Sequence, residues 1–157
     1  MDLHWRVLAF DELDRDLLYA LLRLRQQVFA VEQQSIYLDL DNLDQGAMHM
    51  LLLEADTLVA YQRCLPPGLS YPESALGRIV VAPRARGRDL GRELVRRGIT
   101  YNLQRWPQID ICINAQSYLE RFYRELGFTS EGGEYMEDSI PHIRMRYPAS
   151  LATPRAT

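Results

Sequence analysis

Arg84, Arg86, Arg88 and Arg92 fall within nine residues and are interleaved with Gly87 and Gly91. Guanidinium groups grip polyanions two bonds at a time, and glycines let backbone N–H groups crowd toward an anion. The run leading in, Gly77-Arg78-Ile79-Val80-Val81-Ala82-Pro83, is β-rich and stops at a proline. The run leading out, Asp89-Leu90-Gly91-Arg92, opens a helical pattern. The first turn of a helix leaves backbone donors unpaired, so strand, loop and helix start together make a seat for a phosphate or pyrophosphate. Read alone, the loop also fits a solvated, glycine-containing turn; the density of arginines favours the anion.

Other chemistry is narrowed by composition. The chain has 157 residues, 47% of them apolar, and a formal charge of -3. That fits one domain over 1–157, and the charge gives no case for nucleic acid as the main partner. No apolar run approaches a membrane span, and residues 1–10 lack a basic-then-apolar leader, so the expectation is a cytoplasmic protein with no membrane partner. Cys64 and Cys112 sit in apolar strand-like runs and read as reduced, buried thiols. All 18 basic residues are arginine. Without lysine, Schiff-base chemistry and acylation of its own lysines are excluded. No His/Cys/Asp cluster has metal-ligand spacing, so no metal is expected.

The elements that must position the loop follow from periodicity. Leu3–Phe10 predicts a strand. Asp11 precedes an amphipathic helix with Leu13, Leu17, Leu21, Leu24 and Val28 on one stripe. Phe29–Asp44 is irregular and carries Asp39, Asp41 and Asp44. Met48–Ala55 and Leu58–Leu65 read as a hairpin joined at Asp56-Thr57, the first strand covered on both faces. A loop opens at Pro66-Pro67-Gly68 and lasts to about Ser74. A strand at Ala75–Ala82 leads to the arginine loop and a helix from about Asp89 to Arg105, with Leu90, Leu94, Val95, Gly98 and Tyr101 inward. Ile109–Asn114 is a short strand. Ser117 and Glu120 form a capping-box pattern for a helix ending at Gly127, followed by strands near Phe128–Met136 and Ile140–Tyr147 and a frayed tail over 148–157. The order predicts a layered α/β or α+β domain with a mixed sheet between helices.

At this point the chain resembles a known family. Arg86-Gly87-Arg88-Asp89-Leu90-Gly91 after a Val-rich strand is similar to the acyl-CoA pyrophosphate loop of the GNAT N-acetyltransferase superfamily. Tyr118-Leu119-Glu120-Arg121-Phe122-Tyr123-Arg124-Glu125-Leu126-Gly127-Phe128 resembles that superfamily's Leu-Tyr-x-x-x-Gly-Phe helix end. Three further segments resemble the ElaA-like subgroup: Arg25-Gln26-Gln27-Val28-Phe29-Ala30-Val31-Glu32-Gln33, Asn114-Ala115-Gln116, and Glu137-Asp138-Ser139-Ile140-Pro141-His142-Ile143. The resemblance covers about residues 5–147. It implies a GNAT-type mixed, mostly antiparallel sheet flanked by helices, in the order β-α-α-β-β-β-α-β-α-β-β.

The resemblance also implies roles. Acetyl-CoA is the implied co-substrate, held by Ile79, Val80, Val81, Arg86, Gly87, Arg88, Asp89, Leu90, Gly91, Arg92, Gln116 and Tyr123. Backbone groups of Ile79 and Val81 would pair with the pantetheine, and the Val81 N–H would face the thioester oxygen. Tyr123 is the implied acid that protonates the departing thiolate, against the plain role of an aromatic at a helix end. Direct attack by an amine needs no covalent intermediate, which leaves Cys112 structural. Asp89 stands where the family often has glycine; its charge predicts weakened CoA affinity, offset by Arg88 and Arg92 and by the welcome a helix N-terminus gives an acid.

Three residues compete for the general base: Glu32 first, then His142, with His49 in a similar strand-like run. Each has a structural alternative, Glu32 as an ion pair with an arginine such as Arg25 or Arg63 and the histidines as hydrogen-bonded strand residues. Asp39, Asp41, Asp44, Glu137 and Asp138 either make the acceptor side acidic, favouring a cationic small-molecule or peptide amine, or form a solvated loop face. The expectation is an N-acetyltransferase acting on a primary amine, in a chain that can form a homodimer. Two alternatives stand beside it: a non-catalytic acyl-CoA sensor, and an acyl-homoserine-lactone-synthase-like enzyme, which Arg25, Val28, Phe29, Asp41 and Asp44 fit loosely.

Overall fold

A computed structural model describes residues 2–152. Seven strands form one sheet in the spatial order β1-β2-β3-β4-β5-β7-β6. They are β1 (Leu3–Ala9), β2 (Met48–Glu54), β3 (Thr57–Leu65), β4 (Ser74–Val81), β5 (Ile111–Gln116), β6 (Thr129–Glu137) and β7 (Ile140–Tyr147). Three α-helices accompany them: α1 (Arg15–Arg25), α2 (Leu90–Arg105) and α3 (Glu120–Glu125). All strand pairs are antiparallel except β4–β5. The largely apolar β2 and β3 are buried along nearly their whole length, as strands covered on both faces must be, with His49, Gln62 and Arg63 as their buried polar residues.

Two features of the sheet prepare a site. The parallel pair β4–β5 touches only at Ser74↔Ile111 and Ala75↔Cys112, after which the strands part. Just beyond that contact β4 carries a bulge, where the pairing with β3 slips between Tyr61↔Val80 and Arg63↔Gly77 and Arg78 takes φ +50°. A bulge bends its strand and raises its twist, which swings the end of β4 away from β5. The result is a V-shaped split in the middle of the sheet.

On one side of the split α2 packs tightly against β3. Gly98 makes this possible, since a Cβ there would lie 2.5–2.8 Å from the Gln62 amide atoms. Gln62 fills that space and donates from Nε2 to the Leu94 carbonyl at 2.5 Å. Across the split, beside β5 and β6, Gly127 (φ +112°) ends α3, with the Phe128 N–H returning to the Tyr123 carbonyl at 3.1 Å.

Local chemistry departs from expectation at four points. Asp14, not Asp11, caps α1, its Oδ1 accepting from the Leu17 N–H at 2.8 Å; Phe10–Glu12 forms a separate 3₁₀ turn. The second helical position of the expected order is filled by Gln26–Glu32, a π-helical stretch that continues α1 without a break. Its widened turns show in the bonds Gln33 N–H to Val28 O and Ser35 N–H to Ala30 O. The capping box of Ser117 and Glu120 does not form. A 3₁₀ turn, Ser117–Leu119, follows β5 directly and buries the Ser117 hydroxyl without a partner, while Glu120 accepts from Arg124 and Ser130. Of the frayed tail expected over 148–157, Ala149–Ala152 is instead a 3₁₀ turn tied by its Ala149 N–H to Asp110, and 153–157 lie outside the described residues.

Candidate functional site

The split opens into a cleft of about 960 Å³. Its upper wall is the end of β4. The Ala82 N–H donates to the Val59 carbonyl at 2.8 Å, so Ala82 faces β3. Alternation along the strand then turns the N–H and C=O of Val81 and Ile79 the other way, into the space that β5 has vacated. Arg86 Nε reaches the Val81 carbonyl from that side at 3.3 Å. A strand edge with outward-facing peptide groups is a template for an extended amide-bearing ligand.

The arginine loop follows at one end of this edge. Gly87 has φ +81° and Asp89 has φ +60°, and α2 starts at Leu90. Gly87, Asp89, Leu90, Gly91, Arg86 and Arg92 all line the cleft. The unpaired N–H groups of the first turn of a 16-residue helix therefore open onto it. Arg88 does not contribute its side chain as expected: it turns to Glu54, with contacts of 2.7 and 3.2 Å. Asp89 sits at the helix N-cap without a side-chain capping bond, 74% exposed and 3.5 Å from Arg92. Arg92 also pairs with Glu125 at 3.2 Å and lies over the Phe122 ring.

Tyr123, on α3, lines the same cleft from beneath and is 6% exposed. Phe122 and Phe128 meet it edge-on, with ring centroids 5.1 and 5.8 Å away. Burial pushes its phenol well above the ordinary tyrosine range, so it stays protonated and able to give a proton. Gln116, at the end of β5, also lines the cleft and exchanges amide hydrogen bonds with Gln33 across it.

The general-base candidates separate. His49 lies away from the cleft, fully buried, between the Tyr61 hydroxyl (2.6 Å) and the Asp44 carbonyl (2.9 Å). Burial holds its pKa below the ordinary value, and it is a structural residue. Glu32 ends the π-helical stretch at the cleft mouth, but its partner is Arg86 at 2.8 Å rather than Arg25 or Arg63. His142, on β7, lines the cleft with Nδ1 2.7 Å from the Ile140 carbonyl. A carbonyl can only accept, so Nδ1 carries a proton and, in the neutral ring, Nε2 presents its lone pair.

The three loop aspartates make neither an acidic acceptor wall nor a solvated face. Arg25, fully buried, reaches Asp39 at 2.8 Å and Asp44 at 2.7 Å. Arg63 takes Asp41 in two bonds of 2.8 and 2.7 Å and Asp44 at 2.9 Å. Arg78, on the β4 bulge, reaches Asp39 at 2.7 Å and Asp41 at 3.3 Å. Three cations match three anions, and the network nails the irregular segment 33–44 to α1, β3 and the bulge. Burial by itself would raise Asp41, but Arg63 outweighs it and brings the carboxyl to about 2.

Nothing in the sequence pattern singled out Tyr71 or Tyr135. Tyr71 lines the cleft under Arg144, whose guanidinium lies 4.3 Å from its ring centroid. Tyr135 donates its hydroxyl to Asn114 Oδ1 and stacks on His142. The register Gln116↔His142 and Tyr135↔His142 puts these side chains on one face of adjacent strands, a signal available only once the strands are aligned. Among the described residues no group of three or more His, Cys, Asp or Glu side chains is arranged to hold a metal, and no helix is long and apolar enough to cross a membrane.

Comparison with known proteins agrees with this geometry. The acetyltransferase (GNAT) domain family matches residues 22–149. The UPF0039 protein sll0451 of Synechocystis is 38% identical over 146 residues, covering 92% of this chain and 95% of the relative. Protein ElaA of Escherichia coli is 37% identical over 145 residues, covering 91% and 95%. Its crystal structure superposes with a TM-score of 0.87 at 35% identity, over 93% of this chain and 99% of that one. The crystal structure of an acyl-CoA N-acyltransferase from Pseudomonas aeruginosa gives a TM-score of 0.89, also at 35% identity and over 93% and 99% of the two chains.

Proposed function

The chain belongs to the GNAT acetyltransferase domain family, and on that premise we propose that it moves an acetyl group from acetyl-CoA to a primary amine by direct attack in a ternary complex. One observation carries the reading: a strand edge with outward peptide groups at Ile79 and Val81 runs straight into the N–H-rich start of α2. An amide-bearing arm ending in a pyrophosphate fits such a surface along its length.

The bound thioester supplies an acyl group on a good leaving sulfur. The chain's own groups do the rest. The amides of 86–92, with Arg86 and Arg92, hold the pyrophosphate. The Val81 N–H stabilises negative charge on the thioester oxygen, and such donors are worth most where water is excluded. His142 Nε2 takes one proton from the incoming ammonium so that its nitrogen can attack. The C–S bond then breaks, and Tyr123 gives its proton to the sulfur. The second proton lost by the nitrogen restores the phenol, so one proton leaves overall.

This ranks His142 above Glu32 as the base, because the Ile140 carbonyl orients the His142 ring inside the cleft whereas Glu32 stays at its mouth, beside the arginine that meets the pyrophosphate. The test is release of free CoA thiol from acetyl-CoA with a panel of amines. Tyr123→Phe is expected to lose about a hundredfold or more in kcat with little change in KM for acetyl-CoA. Full turnover by that variant removes Tyr123 from the chemistry.

A further inference from the structure

With the loop aspartates neutralised and Glu32 at the cleft mouth beside Arg86, the negative charge left deeper on the acceptor side belongs to the β6–β7 hairpin. Among the described residues, no arginine lies within salt-bridge distance of Glu137, whose one such neighbour is His142. Glu137 is nevertheless held in place. Asn114 Nδ2 donates to its Oε2 at 2.5 Å, and the Tyr135 hydroxyl donates to Asn114 Oδ1. The carboxylate can only accept, so the amide turns its N–H toward Glu137 and leaves Oδ1 to accept from the phenol. His142 Nε2 stands 3.9 Å from the same Oε2, too far for a hydrogen bond between them. Glu137, His142 and Asn114 all line the cleft.

Two acceptors thus sit side by side: a carboxylate oxygen and a bare imidazole nitrogen. What satisfies both is a group with several N–H donors and a positive charge, which is a primary ammonium. A carboxylate next to that nitrogen would be repelled by Glu137, while Arg63 and Arg78, the cleft's nearby cations, are already paired with Asp39, Asp41 and Asp44, and Arg144 lies over the Tyr71 ring. We propose that Glu137 and His142 form the ammonium-binding subsite of the acceptor, and that the acceptor is an alkylamine lacking a carboxylate beside the reacting nitrogen. Glu137 selects the cation and His142 deprotonates it; Asn114 and Tyr135 position Glu137. This rests on the acyl-transfer reading above and narrows its substrate class.

Pentylamine and norleucine test it, since they differ by one α-carboxylate. Wild type is expected to prefer pentylamine about tenfold or more in kcat/KM, the range of a charge-assisted hydrogen bond. Glu137→Gln should raise KM for pentylamine about tenfold, leave kcat nearly unchanged and erase the preference, with CoA affinity unaltered. Glu137→Asp should recover part of the preference. Calorimetric titration of pentylammonium into CoA-loaded protein reads the subsite without turnover, and Glu137→Gln should weaken that binding to a similar degree. Equal use of both amines, or a variant that keeps the preference and the ammonium affinity, overturns the inference. Ammonium binding that depends on Glu137 with no thiol released from any amine would instead support the subsite and count against acyl transfer.

Discussion

Arg25, Arg63 and Arg78 meet Asp39, Asp41 and Asp44 behind one wall of the cleft, while Arg86 meets Glu32 at its mouth. Both are arginine–carboxylate pairs at similar distances, 2.7–3.3 Å in the first set and 2.8 Å in the second. Burial separates them. Arg25 and Arg63 have side chains 0% and 4% exposed, whereas Arg86 and Glu32 are 44% and 42% exposed. A buried ion whose partner is removed keeps the cost of leaving water, so the first set cannot exchange partners cheaply. An exposed pair competes with water at little loss, so Arg86 can change partners for a phosphate. The first set is architecture, and the second is available to a ligand.

Four changes probe that contrast. Arg25→Met leaves Asp39 and Asp44 without their shared cation and should cost about 3–5 kcal/mol in urea unfolding, far beyond an exposed-pair deletion. Acid comes next. The folded-state pKa of Asp41 lies below its ordinary 3.8, so its contribution is complete above that pH and is lost as pH falls from 4 toward 2, roughly 2 kcal/mol. Buried His49 adds a loss that begins earlier, because its lowered pKa lets the unfolded chain bind a proton first, below about 6.5. Thermal melts from pH 8 to 3 should show both phases, and a melting temperature flat across that range would deny the network its stabilising role.

Asp89→Gly acts at the second region. Glycine accepts the left-handed φ of +60° that aspartate takes at a cost, and it removes a carboxylate from the loop while releasing Arg92. Stability should rise by up to about 1 kcal/mol. CoA should bind about two- to fivefold tighter by equilibrium dialysis, an effect of the size a charge has at a helix end. An unchanged or weaker affinity would show that Asp89 does not oppose the ligand. The smallest effect belongs to Glu32→Gln. Releasing Arg86 from its pair should tighten CoA about twofold, whereas a weaker affinity would mean that Glu32 holds Arg86 in its working position.

The sequence made the strands readable because β2, β3 and the Ile79-Val80-Val81 end of β4 are mostly apolar and are set apart by a tight turn, Ala55-Asp56 rather than the expected Asp56-Thr57, and by Pro66-Pro67-Gly68. The arginine loop was readable for the same reason, since its residues are adjacent in the chain. The misread details share a different cause. Asp11 and Asp14 both precede helical turns, and only the separate 3₁₀ turn of Phe10–Glu12 decides between them. The fate of Asp39, Asp41 and Asp44 depends on arginines 14 to 39 residues away, brought together by the bulge at Arg78. Glu137 was visible as an acid, but its hold through Asn114 and Tyr135 crosses three strands and appears only with the register.

The central claim is that acyl-CoA lies along the end of β4 with its pyrophosphate at the start of α2. Calorimetric titration of acetyl-CoA into the wild-type chain tests it most directly. The expected result is saturable one-to-one binding that weakens with added salt and weakens further in Arg86→Ala and Arg92→Ala. Folded protein that gives no heat with acetyl-CoA or CoA at either salt concentration would contradict it.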